Sequence, residues 1–165
     1  PQEQLVAVAG RRLGAAADWN THTVLNAVPQ RKAFNAGIWK DLEERTAKWA
    51  DKFGVVWVIA GPIFSNRRPS KLLGEEGEMK IAIPDLLFKI VIKQQRDTDP
   101  IDVLAFVYAQ ECDDCTSQKG PFDHRKYLVS VREIETQTGL RFFTGLSASD
   151  REAILKRPKA SELWD

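Results

Sequence analysis

The sequence predicts an α+β fold around an antiparallel sheet, and three observations carry that expectation. One long segment has the apolar spacing of an amphipathic helix. Several β-branched runs follow one another with no helix between them. Strands and helices never alternate in the regular way a parallel sheet requires. The chain has 165 residues, 43% of them hydrophobic, which is enough to fill one core, so residues 1–165 are expected to form a single domain. Lys and Arg total 24 against 23 Asp and Glu, a net charge of +1, so a nucleic-acid partner would have to meet a local basic patch. The longest apolar run, residues 55–60, has the length of a strand and not of a bilayer span. The first residues, Pro1-Gln2-Glu3-Gln4, do not open a signal segment, and the compartment stays open.

In chain order, residues 5–9 are a short apolar run that leads into Gly10-Arg11-Arg12-Leu13-Gly14. Residues 23–28 form another, stopped by Pro29. From residue 35 to 53 the apolar residues Ile38, Leu42, Trp49 and Phe53 draw one stripe along a helix, with Trp39 and Ala50 beside it. Glu43 and Glu44 near its start and Lys48 and Lys52 near its end suit the helix dipole, and Gly54 ends it. Residues 55–60 are expected to be a buried strand closed by Gly61-Pro62. Residues 65–78, with Arg67, Arg68 and Lys71, read as a loop. Strands are expected at residues 80–83, 88–92, 103–108 and 127–131. A short helix at 132–138 closes on Gly139, and Ser147 or Ser149 caps a last helix over 150–156.

The residues with chemical promise cluster around the start of the long helix. Asn26 precedes it, Asn35 opens it, and Glu43 stands eight positions further on, two helical turns away with an offset of about 80°. Asn35 and Glu43 can therefore border one cleft. An amide oxygen, water and phosphate oxygens make a plausible shell for a hard cation such as Mg²⁺. Taken singly, each residue also has a plain structural role: Asn35 as a helix cap, Glu43 as a solvated face residue, Asn26 to Pro29 as a turn. Cys112 and Cys115 are spaced C-x-x-C in a polar stretch. A zinc site wants four ligands, and only His124 lies near; a thioredoxin-like pair wants a helix start in a βαβ unit. Two loop cysteines or one short disulfide is the simpler reading.

The string Asn26-x-x-Pro29-Gln30-x-x-x-x-Asn35-x-Gly37-x-Trp39-x-x-Leu42-Glu43 resembles the hallmark of the DNA/RNA non-specific endonucleases, the ββα-metal, endonuclease G-like nucleases. The resemblance runs on through Gly61-Pro62-Ile63-Phe64, Ile83-Pro84 with Phe88-Lys89-Ile90-Val91, and residues 127–131 with Ile134-Glu135 and 138–143. It covers nearly the whole chain from Leu13. It implies the ββα-metal (His-Me finger) fold, with the long helix beside the site. It also implies a nuclease that contacts DNA and RNA through backbone phosphates and uses Mg²⁺ or another divalent cation such as Mn²⁺. In such enzymes the residue matching Asn35 binds the cation and the one matching Glu43 orders water near it. Asn26 supports the site, and a histidine of an Asp-Arg-Gly-His motif is the general base.

This chain departs from that pattern at the base. The stretch Leu13-Gly14-Ala15-Ala16-Ala17-Asp18 matches the segment on the C-terminal side of the family's histidine, so the histidine's position holds Arg12. An arginine stays protonated and cannot accept the proton. His22 lies nearby, off the motif. The segment between Asp18 and Asn26 is short, the family's preceding strands are missing, and Ala47 stands where many members carry an arginine. Three readings stay open: a relative that no longer cuts, residues absent from this sequence before Leu13, and a processed piece completed by a partner. The sequence thus supports a metal-dependent endonuclease in which Arg11, Arg31, Lys32, Arg67 and Arg68 meet phosphates. The alternative is a pseudo-nuclease that binds nucleic acid or serves as a structural subunit. A third, weaker reading makes Cys112 and Cys115 a redox or metal site. The resemblance leaves a homodimer or larger assembly open, and mitochondrial, periplasmic and secreted locations alike.

Overall fold

A computed structural model of the chain describes residues 27–65, 69, 71–94, 99–111, 119–157 and 160–165, and the backbone of residues 3–7. Strand β1 (Glu3–Ala7) pairs antiparallel with β2 (Ala27–Arg31), Leu5 facing Pro29. The chain then enters the helix directly: α1 (Lys32–Phe34), a wide π-type turn (Asn35–Trp39) and α2 (Lys40–Phe53). Next come β3 (Trp57–Ile63), the small hairpin β4 (Leu72–Leu73) and β5 (Ile81–Ala82), then β6 (Leu86–Lys93) and β7 (Asp102–Ala109). A 3-10 turn (His124–Tyr127) precedes β8 (Leu128–Val129), and helices α3 (Val131–Thr138) and α4 (Ala148–Lys156) come last. The main sheet has the order β3-β6-β7-β8, each neighbour antiparallel. Among the described residues no helix is long and apolar enough to cross a membrane.

Both faces of this sheet are covered. Strand alternation sends Leu87, Val91, Leu104, Phe106 and Tyr108 to one face, where they pack with Phe34, Ile38, Trp39, Leu42 and Trp49 of the long helix. Phe88, Ile90 and Ala105 go to the other, against Val131, Ile134, Ile154 and Leu155 of α3 and α4. The predicted α+β class and antiparallel sheet are as observed.

Several local expectations are corrected. The helix begins at Lys32, so Asn35 has helical dihedrals (φ −64, ψ −44) and does not cap it. Gly37 breaks the helical path at φ −102, ψ −112, so a regular offset between Asn35 and Glu43 does not apply. The run expected as a buried strand is the sheet's edge strand β3, with Trp57 50% exposed. Its β-branched composition suits any pleated strand, and only pairing order decides edge from centre. The strand expected over 127–131 is two residues long, because the 3-10 turn takes its start and Ser130 already caps α3. That cap is a reciprocal box: Ser130 Oγ accepts from Glu133 N at 3.2 Å and Glu133 accepts from Ser130 N at 2.6 Å. Gly139 then closes the helix at φ 71, and Ser147 rather than Ser149 caps α4.

Two buried polar devices place the helix on the sheet. Gln110, at the end of β7, is 2% exposed. Its Oε1 accepts from Arg31 N at 2.7 Å, and its Nε2 donates to Pro29 O at 3.2 Å and Pro84 O at 2.8 Å. The side-chain amide thus acts as a short strand along the edge of β2, just before the helix starts. The second device is His124, fully buried. Its Nε2 lies 2.7 Å from Asp41 Oδ2 and its Nδ1 2.9 Å from the Tyr108 hydroxyl. A carboxylate can only accept here, so Nε2 carries the proton, Nδ1 is the acceptor, and Tyr108 donates. Arg45 also donates to Asp41 (3.1 Å) and, with its other arm, to Asp165 (2.7 Å). Trp164 packs edge-on against Trp49 at 5.5 Å, so residues 164 and 165 cover the far end of the helix.

Burial pushes the His124 pKa below its usual 6.5, with Asp41 opposing. Burial also pushes the Asp41 carboxyl up, but the hydrogen bonds and charges of His124 and Arg45 outweigh it and hold it below 3.8. Both folded values are depressed, so both stabilise the fold above the unfolded pKa and lose that contribution as pH falls. Urea midpoints are expected to fall as pH drops below 6.5, falling further below 3.8. His124→Gln is expected to remove the first part of that fall; an unchanged profile in the variant would show that the histidine is not its source. Gln110→Ala leaves a backbone N–H and two carbonyls without their partner and is expected to cost about 1–3 kcal/mol in urea denaturation.

Candidate active site

Two of the sequence motif's residues, Trp39 and Glu43, meet a side chain of β6 at the flank of the long helix, and Asn35 precedes them in the chain. Asn35 lies in the first turns and is half-buried. Trp39 follows four residues later and is 1% exposed, its ring 5.6 Å from Phe34 and 6.1 Å from Tyr108. Glu43 follows four residues after that, half-buried, with a side-chain exposure of 38%. Leu42 and Trp39 seat this stretch on the sheet, and Glu43 is left at the margin between core and solvent.

The partner of Glu43 is a residue to which the sequence alone assigns no role. Lys89 of β6 is 2% exposed, with Nζ 3.8 Å from Glu43 Oε1 and 4.3 Å from the centre of the Trp39 ring. Burial lowers its pKa, with Glu43 opposing, to about 8. The ammonium therefore persists at neutral pH inside an otherwise apolar face. A signal for it was present: one charged residue interrupts Leu86-Leu87-Phe88-Lys89-Ile90-Val91-Ile92 at a position that alternation sends inward. Nothing in the sequence could name Glu43 as its partner, since the two are joined only by packing.

The basic residues expected to meet phosphates fare unevenly. Arg31 is engaged by Glu111, which also accepts from Lys71 at 2.5 Å. The Lys71 hydrogen bond, opposed by desolvation and helped by Arg31, holds the Glu111 carboxyl below its usual range. Lys32 is exposed at the start of the helix. Arg11, Arg12, Asn26, Arg67 and Arg68 lie outside the described residues, as do His22, Cys112 and Cys115. His124, the nearest extra candidate for a cysteine metal site, is committed to Asp41 and Tyr108.

The donor set limits the kind of cation this flank could hold. Among the described residues no group of three or more His, Cys, Asp or Glu comes together. What is present is oxygen chemistry: a neutral amide at Asn35 and a carboxylate at Glu43 already facing a lysine. That fits a hard divalent ion that keeps most of its water, such as Mg²⁺, and not a caged structural metal.

Comparison with known proteins agrees with the motif. The family described as DNA/RNA non-specific endonuclease matches residues 5–149. "Nuclease EXOG, mitochondrial" of Xenopus laevis is 31% identical over 144 residues, 82% of this chain and 37% of the relative. The Homo sapiens protein of the same name is 29% identical over 133 residues, 76% of this chain and 35% of its own length. "Nuclease" of Serratia marcescens is 28% identical over 149 residues, 88% of this chain and 52% of the relative. This chain thus spans little more than a third of the EXOG proteins it matches. With the motif in place on the long helix beside an antiparallel sheet, and a match over residues 5–149, the chain belongs to the DNA/RNA non-specific endonuclease family.

Proposed function

We propose that this chain is a metal-dependent nuclease that hydrolyses phosphodiester bonds in DNA and RNA without sequence preference. The observation that carries the reading is the placement of Asn35, a half-buried amide near the start of the helix, eight residues before a carboxylate. Asn35 would hold a divalent cation, Mg²⁺ or Mn²⁺, through its carbonyl oxygen. Such an ion supplies charge stabilisation at the scissile phosphate and its leaving oxygen. Glu43 would accept hydrogen bonds from water beside it, and Asn26 would support the site from the end of the preceding segment. Arg11, Arg31, Lys32, Arg67 and Arg68 would meet backbone phosphates, and the contact at Arg31 would compete with Glu111. Contacts of this kind ignore base identity, which fits one site to both DNA and RNA.

Arg12 motivates a second reading. A guanidinium at the position of the family's general base cannot take a proton from water, though it can hold a phosphate. The chain would then be a pseudo-nuclease that binds nucleic acid or serves as a subunit. The relatives named EXOG are mitochondrial by name; that compartment, the periplasm and export are all consistent with the proposal.

The two readings part in one assay. Supercoiled plasmid and a folded RNA are incubated with the protein and Mg²⁺, with and without EDTA. The enzyme reading expects nicking of both, abolished by the chelator and lowered about 10²-fold or more in Asn35→Ala, the scale of losing one transition-state contact. Arg12→His is expected to raise the rate by about 10²-fold or more, the scale of general-base catalysis. Cleavage by the parent protein no faster than by Asn35→Ala would sink the enzyme reading, and chelator-insensitive nucleic-acid binding would then favour the second.

A further inference from the structure

We propose that Lys89 is a positioning residue that keeps the Glu43 carboxylate off a divalent cation held at Asn35, so that Glu43 serves the ion's water and not the ion. The inference rests on the cation reading above and adds a control to it. Lys89 occupies an inward position of β6 between Leu87 and Val91, where an aliphatic side chain would pack without desolvating a charge. Its ammonium instead lies 4.3 Å above the Trp39 ring and 3.8 Å from Glu43 Oε1. The first contact is a cation–π interaction; the second is too long for a hydrogen bond and acts through charge.

The geometry gives that charge one function. Trp39 and Glu43 follow one another one turn apart, Asn35 precedes them across the break at Gly37, and the ammonium lies over the Trp39 ring. It is therefore held beside the turn of helix that leads to the carboxylate. A single positive charge there competes with a divalent ion for Glu43 and repels the ion from the carboxylate itself. An ion on Asn35 then keeps its hydration shell, and its water-bearing positions stay open to phosphate oxygens. On this proposal Glu43, without Lys89, would be a free anion that draws the cation to itself and joins its first shell. The site would bind the ion more tightly and with fewer open positions.

The test measures Mn²⁺ affinity, by the free-ion electron paramagnetic resonance signal, on the full chain and four variants: Lys89→Met, Glu43→Gln, the double variant, and Asn35→Ala. Lys89→Met is expected to bind Mn²⁺ about tenfold more tightly, the scale of one outer-shell change. The gain should vanish in the double variant. Unchanged or weaker binding in folded Lys89→Met, or a gain that survives Glu43→Gln, would overturn the proposal. Should Lys89→Met not fold, Glu43→Gln decides alone: a carboxylate that meets only water loses less than about threefold on becoming an amide, whereas a loss of tenfold or more places it on the ion already. The Asn35→Ala arm reports separately on the cation site. Affinity there equal to that of the parent removes the proposed ion from Asn35, whatever the Lys89 cycle shows. Undetectable Mn²⁺ in every protein overturns both readings.

Discussion

The rotation of the long helix about its own axis is the constraint on which the candidate site depends. Leu42 points to the sheet and is fully buried. Asp41 and Glu43, on either side of it in sequence, stand about 200° apart around the helix and so flank the apolar stripe. Each flank is pinned by a buried polar residue of the body beneath. Asp41 meets His124 at 2.7 Å, and Glu43 faces Lys89 at 3.8 Å. An apolar stripe alone tolerates some roll, because dispersion contacts are short-ranged but not directional. A hydrogen bond on one side and an ion pair on the other do not tolerate it. Glu43 is thereby held at one margin of the helix.

The start of the helix is held by a second, independent clamp. Gln110 and Glu111 are neighbours just past the end of β7, one side chain buried and the other exposed. Gln110 turns inward and bonds the backbone of β2 at Pro29 and Arg31. Glu111 turns outward and takes the Arg31 guanidinium together with Lys71. Arg31 is the last residue of β2, so its backbone and side chain are both fixed to the end of the sheet immediately before the helix begins. The pair Arg31–Glu111 is exposed and adds little stability by itself. The Gln110 amide is buried and satisfied on both ends, and that is where the stabilisation lies. The two-strand unit that carries the motif and the helix that carries Asn35 are thus tied to the same framework.

Much of this was legible in the sequence, because it rests on local rules. The helix from residue 35 to 53 follows from a 3.6-residue apolar period, its end from Gly54, and the end of α3 from Gly139. The motif from Asn26 to Glu43 identified the family by spacing alone, which is local information too. What only the tertiary structure decided are pairings across the chain. Lys89 meets Glu43, Gln110 meets Arg31 and Pro29, and His124 meets Asp41 across 83 positions. The same holds for β3, whose β-branched run looks central but lies at the edge because nothing local encodes strand order. Asn35 is the clearest case. By type it suited a helix cap, yet the helix already starts at Lys32, one turn early, so Asn35 lies within it. Local sequence determines which element a residue joins; burial of charge and amide groups between distant elements determines which way that element faces.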